Sequence, residues 1–190
     1  MLEAAAFNGS NSRIKLFGGA FSRLAALGSG YENSFEWLAD FRFDGMAPGQ
    51  TTQILFASDA FSLTLVTSAN EVRLVATVAG QISVSYPPES GDPIERGRWY
   101  RMRWGASKVE GAHFLQVQKW NVRNGGYFPG LNAADCAFRP WAANLPAPGD
   151  VWIGHDGSTH SETYFRGRLD NVSLITYQYY TKTTLCTLQQ

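Results

Sequence analysis

Residues 120–141 carry the side-chain types that bind sugars. A sugar ring has an apolar C–H face and a rim of hydroxyl groups, so a glycan site needs aromatic planes beside amide, carboxylate or guanidinium groups. This stretch supplies both, and it keeps no sustained strand or helix period. Because binding residues concentrate on long loops of a rigid scaffold, we predict a glycan site here. The candidate residues are Tyr127, Phe128, Trp141, Asn124, Asn132, Arg123 and Arg139.

The aromatic residues of this stretch also have a structural alternative. Tyr127, Phe128 and Trp141 would then pin the loop onto the core as a small satellite cluster. Trp120 ends a predicted strand, and we expect it to lie in the core. A connection as long as 121–150 within a compact domain is typical of a functional loop or of disorder, and the aromatic content argues against disorder.

Carboxylates on the stretch 34–44 are the first candidates for a catalytic pair. Glu36, Asp40 and Asp44 share one parity, and neighbours four residues apart on a strand lie ~13 Å apart. Glycosidase carboxyls lie ~5–5.5 Å apart in retaining enzymes and ~6.5–9.5 Å apart in inverting ones. The spacing is wrong for both, and only a pair drawn from different strands stays open. We expect an outward strand face on which carboxylates flank Arg42, the alternative being a polar floor for sugar hydroxyls.

The stretch 155–162 contains two histidines, one aspartate and one glutamate, which suggests a metal site. Its spacing matches no zinc-ligand pattern, so we predict a structural polar loop instead.

Short strands separated by turn residues account for most of the chain. The clearest is 34–44, where Phe35, Trp37 and Phe41 alternate with polar residues at the period of a half-buried strand. A first strand is predicted over 6–17 and a hairpin over 54–67. The stretch 72–86 predicts either two tightly joined strands or one long strand with a kink. Further strands are predicted at 99–104, 114–120 and 151–154. Regular short strands with almost no helix predict an all-β fold, a two-sheet antiparallel β-sandwich.

The stretch 164–175 does not keep one strand parity. Gly167 and Leu169 fall on one face, whereas Val172 and Leu174 fall on the other. A strand that holds both sets against one core needs an extra residue near Leu169 and Asp170, which a β-bulge supplies. Gly167 is typical of a position where a neighbouring strand or side chain presses closely on the backbone.

The pattern Phe-x-Gly-x-Leu-Asp-x-Val-x-Leu over 165–174 resembles the closing strand of laminin-G-like domains in the concanavalin-A-like lectin/glucanase superfamily. Val-Trp-Ile-Gly at 151–154 resembles the strand before it, and 6–14 resembles the opening strand. The resemblance implies a concanavalin-A-like jelly roll over nearly the whole chain. The Glu-x-Asp-x-x-Glu strand of its β-glucanases and the Gln-x-His strand of its alginate lyases are both absent. The chain is therefore predicted not to be an enzyme.

Calcium is a further implication of the resemblance, because many laminin-G-like domains bind it at the sheet rim. Asp59, Asp156 and Asp170 are candidates by residue type. Asp170 has an alternative role, in which it fixes the bulge or an adjoining turn by hydrogen bonding.

Charge and composition exclude some partners. Sixteen basic residues balance sixteen acidic ones, so no nucleic-acid partner is predicted. No apolar run approaches the ~20 residues that span a bilayer, and the N-terminus lacks the features of a signal peptide. Cys136 and Cys186 are predicted to be free thiols, although their pairing stays open. One jelly-roll domain is predicted over 1–176, with an extension over 177–190 that docks on a sheet edge or a partner.

The predicted function is a non-catalytic recognition or assembly module that binds a glycan or neighbouring protein subunits. Jelly-roll lectins usually act outside cells, so a chain without an export signal favours the surface of a phage virion, in head decoration or near the tail. The predicted location is thus a virion or extracellular surface, with a homo-oligomer or a larger assembly as the state. The alternatives are a free carbohydrate-binding module or lectin of a secreted protein and, third, a glycosidase or polysaccharide lyase.

Overall fold

The computed structural model describes residues 4–16, 34–68, 71–78, 82–87, 93–107, 112–121, 125–127, 136–140, 149–158 and 163–177. Within these ranges the regular elements are thirteen strands, and no helix is long and apolar enough to cross a membrane. The strands are β1 (Ala5–Asn8), β2 (Ile14–Leu16), β3 (Ser34–Phe43), β4 (Thr52–Ala57), β5 (Phe61–Ser68), β6 (Glu71–Val78), β7 (Ile82–Tyr86), β8 (Trp99–Ser107), β9 (Ala112–Asn121), β10 (Gly126–Tyr127), β11 (Cys136–Pro140), β12 (Val151–Ile153) and β13 (Arg166–Tyr177).

The strands form two antiparallel sheets. One has the order β1-β13-β3-β8-β9-β10, with β11 also pairing with β9, and the other has the order β2-β12-β4-β5-β6-β7. The neighbours of β3 are β13 and β8, which are distant from it in sequence, so crossover connections link these strands. This arrangement confirms the predicted all-β, two-sheet antiparallel sandwich.

The core lies between the two sheets and is rich in aromatic rings. Alternation on β3 and β8 directs one side chain in two towards the core, so that Phe35, Trp37 and Trp104 face the second sheet. Trp37 stacks on Phe56 of β4 across the sandwich, with ring centroids 4.8 Å apart. The period-2 pattern thus predicts the inward face of each strand, because every second side chain points to the same side of a sheet.

The prediction of one continuous first strand over 6–17 is wrong. The chain forms β1 in one sheet, bends, and enters the other sheet as β2. The Asn8 carboxamide oxygen accepts hydrogen bonds from the backbone N–H groups of Ser10, Asn11 and Ser12, which stabilises the bend. The hairpin predicted at 54–67 is confirmed, and of the two alternatives for 72–86 the structure has two antiparallel strands.

The predicted β-bulge is confirmed in β13. Asp170 pairs with Asp40 and Ser173 with Leu38, so two residues of β13 lie opposite Ala39. The extra residue turns Leu174 to the same side as Leu169, and both pack on the core.

The bulge residues themselves correct one detail of that prediction. Val172 lies in the bulge and is 37% exposed, so it does not join the core. Asn171 has a φ of 51°, the left-handed conformation that asparagine adopts more readily than other non-glycine residues. Its N–H donates to the Asp170 carboxylate at 2.8 Å, which confirms the hydrogen-bonding role expected of Asp170.

The predicted close approach at Gly167 is also confirmed. A Cβ placed there would lie 2.0 Å from the carbonyl oxygen of Arg42 and 2.6 Å from the ring of Phe165. Only glycine therefore allows β13 to pair with β3 at this position.

Candidate ligand-binding face

The outer face of the seven-stranded sheet, on the side away from the core, concentrates aromatic and charged side chains. The backbone register aligns them in two neighbouring rows that cross β13, β3, β8 and β9. The first row is Arg168, Arg42, Trp99 and Trp120, and the second is Asp170, Asp40, Arg101 and Gln118. Strands that are distant in sequence thus place indole, guanidinium, carboxylate and amide groups side by side.

Two tryptophans lie next to each other in the first row. Tyr100 pairs with Lys119, so Trp99 and Trp120 follow one step further along the same register. Both indoles are only half-buried, whereas the inward neighbour Tyr100 is buried. The expectation that Trp120 lies in the core is therefore wrong, because its strand parity directs it outward.

Two carboxylates in the middle of the outer face are buried under arginines. Asp40 accepts two hydrogen bonds from Arg101, at 2.8 and 2.9 Å, and a third from the Asn171 amide at 2.7 Å. Glu36 accepts from Arg103 Nε at 2.5 Å. The side chains of Asp40 and Glu36 are 6% and 1% exposed, against 41% for Arg101 and 25% for Arg103. The guanidinium groups thus form the exposed layer, and the carboxylates below fix their orientation.

The expected arrangement around Arg42 is correct in part. Arg42 donates to both carboxylate oxygens of Asp44, at 2.8 and 3.0 Å, whereas Asp40 turns to Arg101 instead. The hydrogen bond to Asp44 raises the pKa of Arg42 above its ordinary value, against an opposing effect of desolvation. Strand parity is outward as predicted, but Glu36 and Asp40 are too buried to act as a floor for sugar hydroxyls.

Two further arginines lie at the β13 end of this face. Arg168 is the cross-strand partner of Arg42, and the carbonyl of Arg166 accepts from the backbone N–H of Asp44. Both side chains are exposed, and neither forms an ion pair with another residue of the described ranges. The face therefore carries arginine side chains beyond those that its carboxylates neutralise.

The residues that the sequence predicted for a glycan site adjoin this face only in part. Tyr127 in β10 is the backbone partner of Trp120, and Arg139 in β11 is the partner of His113, while both side chains fall outside the described part. The remaining candidates, Phe128, Trp141, Asn124, Asn132 and Arg123, lie outside the described residues, as does Cys186. The loop site accordingly stays a prediction.

The three calcium candidates belong to separate turns. Asp59 accepts from the N–H of Gly149 at 2.8 Å, and Asp156 accepts from the N–H of Ser158 at 2.9 Å. Asp170 lies at the bulge. Among the described residues no three potential metal ligands gather at one point, so calcium stays a prediction.

The loop after β12 is held by its own polar side chains. His155 is buried and stacks on Tyr164 with ring centroids 3.9 Å apart, and its Nδ1 accepts from the N–H of Gly157. Burial raises the pKa of Asp156, but hydrogen bonds from Ser158 and the nearby His155 outweigh it, so the pKa lies below its ordinary value. These contacts agree with a structural role for residues 155–158, whereas His160 and Glu162 lie outside the described residues, so the prediction for the rest of the loop stays a prediction.

A third half-buried tryptophan lies on the opposite side of the molecule. Trp152 of β12 faces outward from the six-stranded sheet, with Arg13 and Lys15 at 5.1 and 5.2 Å from its ring centroid. Lys15 is in turn paired with Asp150 at 2.6 Å. Because Trp152 is an outward indole on the other sheet, its substitution can serve as a control for substitutions of Trp99 and Trp120.

The main members of the outer face were not predicted as ligand residues. Trp99, Arg101 and Arg103 alternate with the apolar residues of β8, and this parity is the signal that places them outward. Arg166 and Arg168 show the same alternation on β13. Parity alone does not reveal that these strands are neighbours.

Three solved structures share this architecture. A heptameric SAP-like pentraxin from Limulus polyphemus is 13% identical, with a TM-score of 0.55 over 89% of this chain and 73% of that one. Domains LG4-5 of the mouse laminin alpha1 chain are 17% identical, with a TM-score of 0.56 over 90% and 40%. Domain 4 of an extracellular GH43 arabinanase from Geobacillus stearothermophilus, in complex with arabinotriose, is 16% identical, with a TM-score of 0.53 over 91% and 70%. The chain has a concanavalin-A-like jelly-roll fold.

The jelly roll confirms what the motif at 165–174 implied about the fold. No protein-family model matches the sequence, and a comparison with curated proteins finds no match. At these identities the likeness concerns the fold alone.

Asn171 links the bulge to the outer face, and its replacement is expected to weaken the jelly roll. Asn171→Ala loses the hydrogen bond to Asp40 and keeps a side chain at positive φ, so we expect a loss of about 1–2 kcal/mol in the free energy of unfolding. Asn171→Gly loses the same bond but relaxes the backbone, and should cost about 1 kcal/mol less. Urea denaturation of the two variants measures the difference. Equal stabilities would show that the left-handed conformation at residue 171 carries no strain.

Proposed function

We propose that the protein is a non-catalytic recognition module that binds carbohydrate on the outer face of its seven-stranded sheet. The observation that carries this proposal is the placement of Trp99 and Trp120 side by side, half-buried, beside Arg101 and Gln118. Indole planes match the apolar faces of sugar rings, and amide and guanidinium groups match their hydroxyls and ring substituents.

The rigidity of this surface supports binding. Its members lie on strands rather than on loops, and Asp40 holds Arg101 in a two-point contact. A surface that is already ordered loses little side-chain entropy when a ligand binds. The arabinanase domain that was solved with arabinotriose shares the fold and is consistent with a sugar-binding role.

The proposal of a non-catalytic role rests on the state of the carboxylates. Glu36 and Asp40 are buried and hydrogen-bonded to Arg103 and Arg101, so neither is placed to donate or accept a proton at a bound glycosidic bond. We expect incubation of the protein with a bound polysaccharide to release no new reducing ends and no unsaturated products that absorb in the ultraviolet. Turnover of either kind would contradict a binding-only role.

A polysaccharide-binding screen tests the site. We expect the wild-type chain to bind at least one polymer of a broad bacterial and plant panel in affinity electrophoresis. Trp99→Ala and Trp120→Ala should each weaken that binding roughly 30-fold, as removal of a central tryptophan costs about 2 kcal/mol at interfaces. Trp152→Ala is the matched control and should bind as the wild type does.

Two outcomes would contradict the proposed site. Binding that survives both substitutions on the outer face but is lost in Trp152→Ala would move the site to the other sheet. Absence of binding to every polymer by a folded wild-type chain would refute the carbohydrate-binding role.

The setting on a phage virion stays a proposal that derives from the sequence alone. A chain of this kind in a head decoration or near a tail would occur in purified particles, where peptide mass spectrometry would find it. A free lectin or carbohydrate-binding module of a secreted protein would occur instead in culture supernatant. The same samples would reveal a homo-oligomer or a larger assembly by their sedimentation.

A further inference from the structure

The chain is neutral as a whole, but its arginines are concentrated beside the two tryptophans. Sixteen basic and sixteen acidic residues balance over the sequence. On the outer face, however, five arginines lie on the three adjacent strands β13, β3 and β8. They are Arg42, Arg101, Arg103, Arg166 and Arg168.

Two of the four carboxylates of this face, Asp40 and Glu36, lie below arginines, whereas Asp44 and Asp170 are partly exposed. The Asp40 side chain is 6% exposed, whereas that of its partner Arg101 is 41% exposed. A ligand that approaches this part of the face from solvent therefore meets the guanidinium group before the carboxylate. A guanidinium has five N–H donors in a planar fork, so one that is held by a carboxylate from below can serve a further acceptor above.

One pair of arginines on this face is expected to destabilise the sheet. Arg168 and Arg42 are direct cross-strand partners with the same outward parity, and like charges in that arrangement destabilise a sheet. Asp44 compensates Arg42, but Arg168 has no ion-pair partner among the described residues. Such a local conflict with stability is expected where a side chain serves binding rather than folding.

We infer that the outer face binds an acidic polysaccharide, whose uronic-acid carboxylates pair with Arg166, Arg168 and Arg101. The sugar rings lie against Trp99 and Trp120. This inference rests on the proposed carbohydrate-binding function and names the class of glycan. Guanidinium and carboxylate form two parallel hydrogen bonds, which explains the use of arginine rather than lysine at these positions.

A uronate polymer suits this face better than a nucleic acid does. Asp44 is 32% exposed within the arginine cluster, and it can accept hydrogen bonds from the hydroxyls that alternate with carboxylates along a uronate chain. A nucleic acid has a phosphate on every nucleotide but fewer hydroxyl donors than a sugar polymer, so it offers the Asp44 carboxylate fewer hydrogen bonds to offset their mutual repulsion.

The test compares each acidic polymer with its own neutral form. Pectate, alginate and hyaluronan are each assayed by calorimetric titration beside a carboxyl-reduced sample of the same polymer. We expect at least one acidic polymer to bind more than tenfold tighter than its reduced form, and less tightly as salt is raised. Arg166→Gln and Arg168→Gln should each weaken that binding severalfold. Both residues lack ion pairs within the described ranges, so these variants should fold as the wild type does.

Control variants and further ligands make the result decisive. Arg73→Gln, on the outward side of the six-stranded sheet, should bind as the wild type does, and Trp99→Ala should weaken binding to every polymer roughly 30-fold. Equal binding of acidic and reduced polymers that Trp99→Ala weakens to the same extent would overturn the preference for acidic glycans and leave the proposed function intact. Absence of binding to any polymer, acidic or neutral, would overturn both. Tighter binding of a single-stranded oligonucleotide than of any uronate polymer would overturn the inference in favour of nucleic acid.

Discussion

Gly167→Ala is expected to destabilise the protein by more than about 4 kcal/mol, which is exceptional for the addition of one methyl group. The new Cβ would lie 2.0 Å from the carbonyl oxygen of Arg42, well inside van der Waals contact, and 2.6 Å from the ring of Phe165. Neither neighbour can move cheaply, because one is backbone in the β13–β3 pair and the other is a buried core ring. Urea denaturation followed by circular dichroism measures the change.

A glycine in open space provides the control for this substitution. A Cβ on Gly126 would contact nothing within 4 Å, so Gly126→Ala should change stability by no more than about 0.5 kcal/mol. If Gly167→Ala were as stable as Gly126→Ala, the pairing of Gly167 with Phe43 would be incorrect.

Arg103→Met is expected to cost about 3–5 kcal/mol, because it leaves the buried Glu36 carboxylate without its guanidinium partner. The Glu36 side chain is 1% exposed, so solvent cannot replace the hydrogen bond at 2.5 Å that is lost. The double variant Glu36→Leu/Arg103→Met removes both charges and keeps the side-chain volume. Its stability should return to within about 1 kcal/mol of the wild type, since apolar replacement of a buried ion pair is often neutral.

Thermal and urea unfolding of the wild type, the single variant and the double variant separate the cost of the lost ion pair from that of lost packing. If the double variant were as unstable as Arg103→Met, the loss of stability would come from the packing of the arginine stem. A single variant of wild-type stability would show that the Glu36 carboxylate does not depend on Arg103.

Much of the fold was predictable because its signals are local. The alternation on β3 identifies the inward side chains. Leu169 and Leu174 differ in parity, so a strand that packs both against the core needs one extra residue between them. Gly167 was predictable for the same reason, as a strand glycine commonly marks a close approach. The first strand was not predicted correctly, because the turn at Asn8 depends on three backbone contacts that the strand period does not encode.

The candidate ligand-binding face was much less predictable, because it is assembled across strands. Trp99 and Trp120 are close only through the pairing of β8 with β9, and Arg168 joins Arg42 only through that of β13 with β3. Parity places each side chain on a face but names no neighbour. Glu36 shows a second limit, since an outward parity does not reveal that an arginine covers the carboxylate.

The bulge in β13 determines which residues in the two halves of that strand face the same side of the sheet. Deleting Val172 would leave a single residue opposite Ala39, and one unbroken alternation would then run through the strand. Either the arginines at 166 and 168 would turn towards the core, or Leu174 would turn towards solvent. The length of this segment can therefore change only by an even number of residues if every side chain is to stay on its own side of the sheet. A pair of residues could be inserted beside the bulge, whereas a single insertion would turn side chains of the candidate ligand-binding face towards the core.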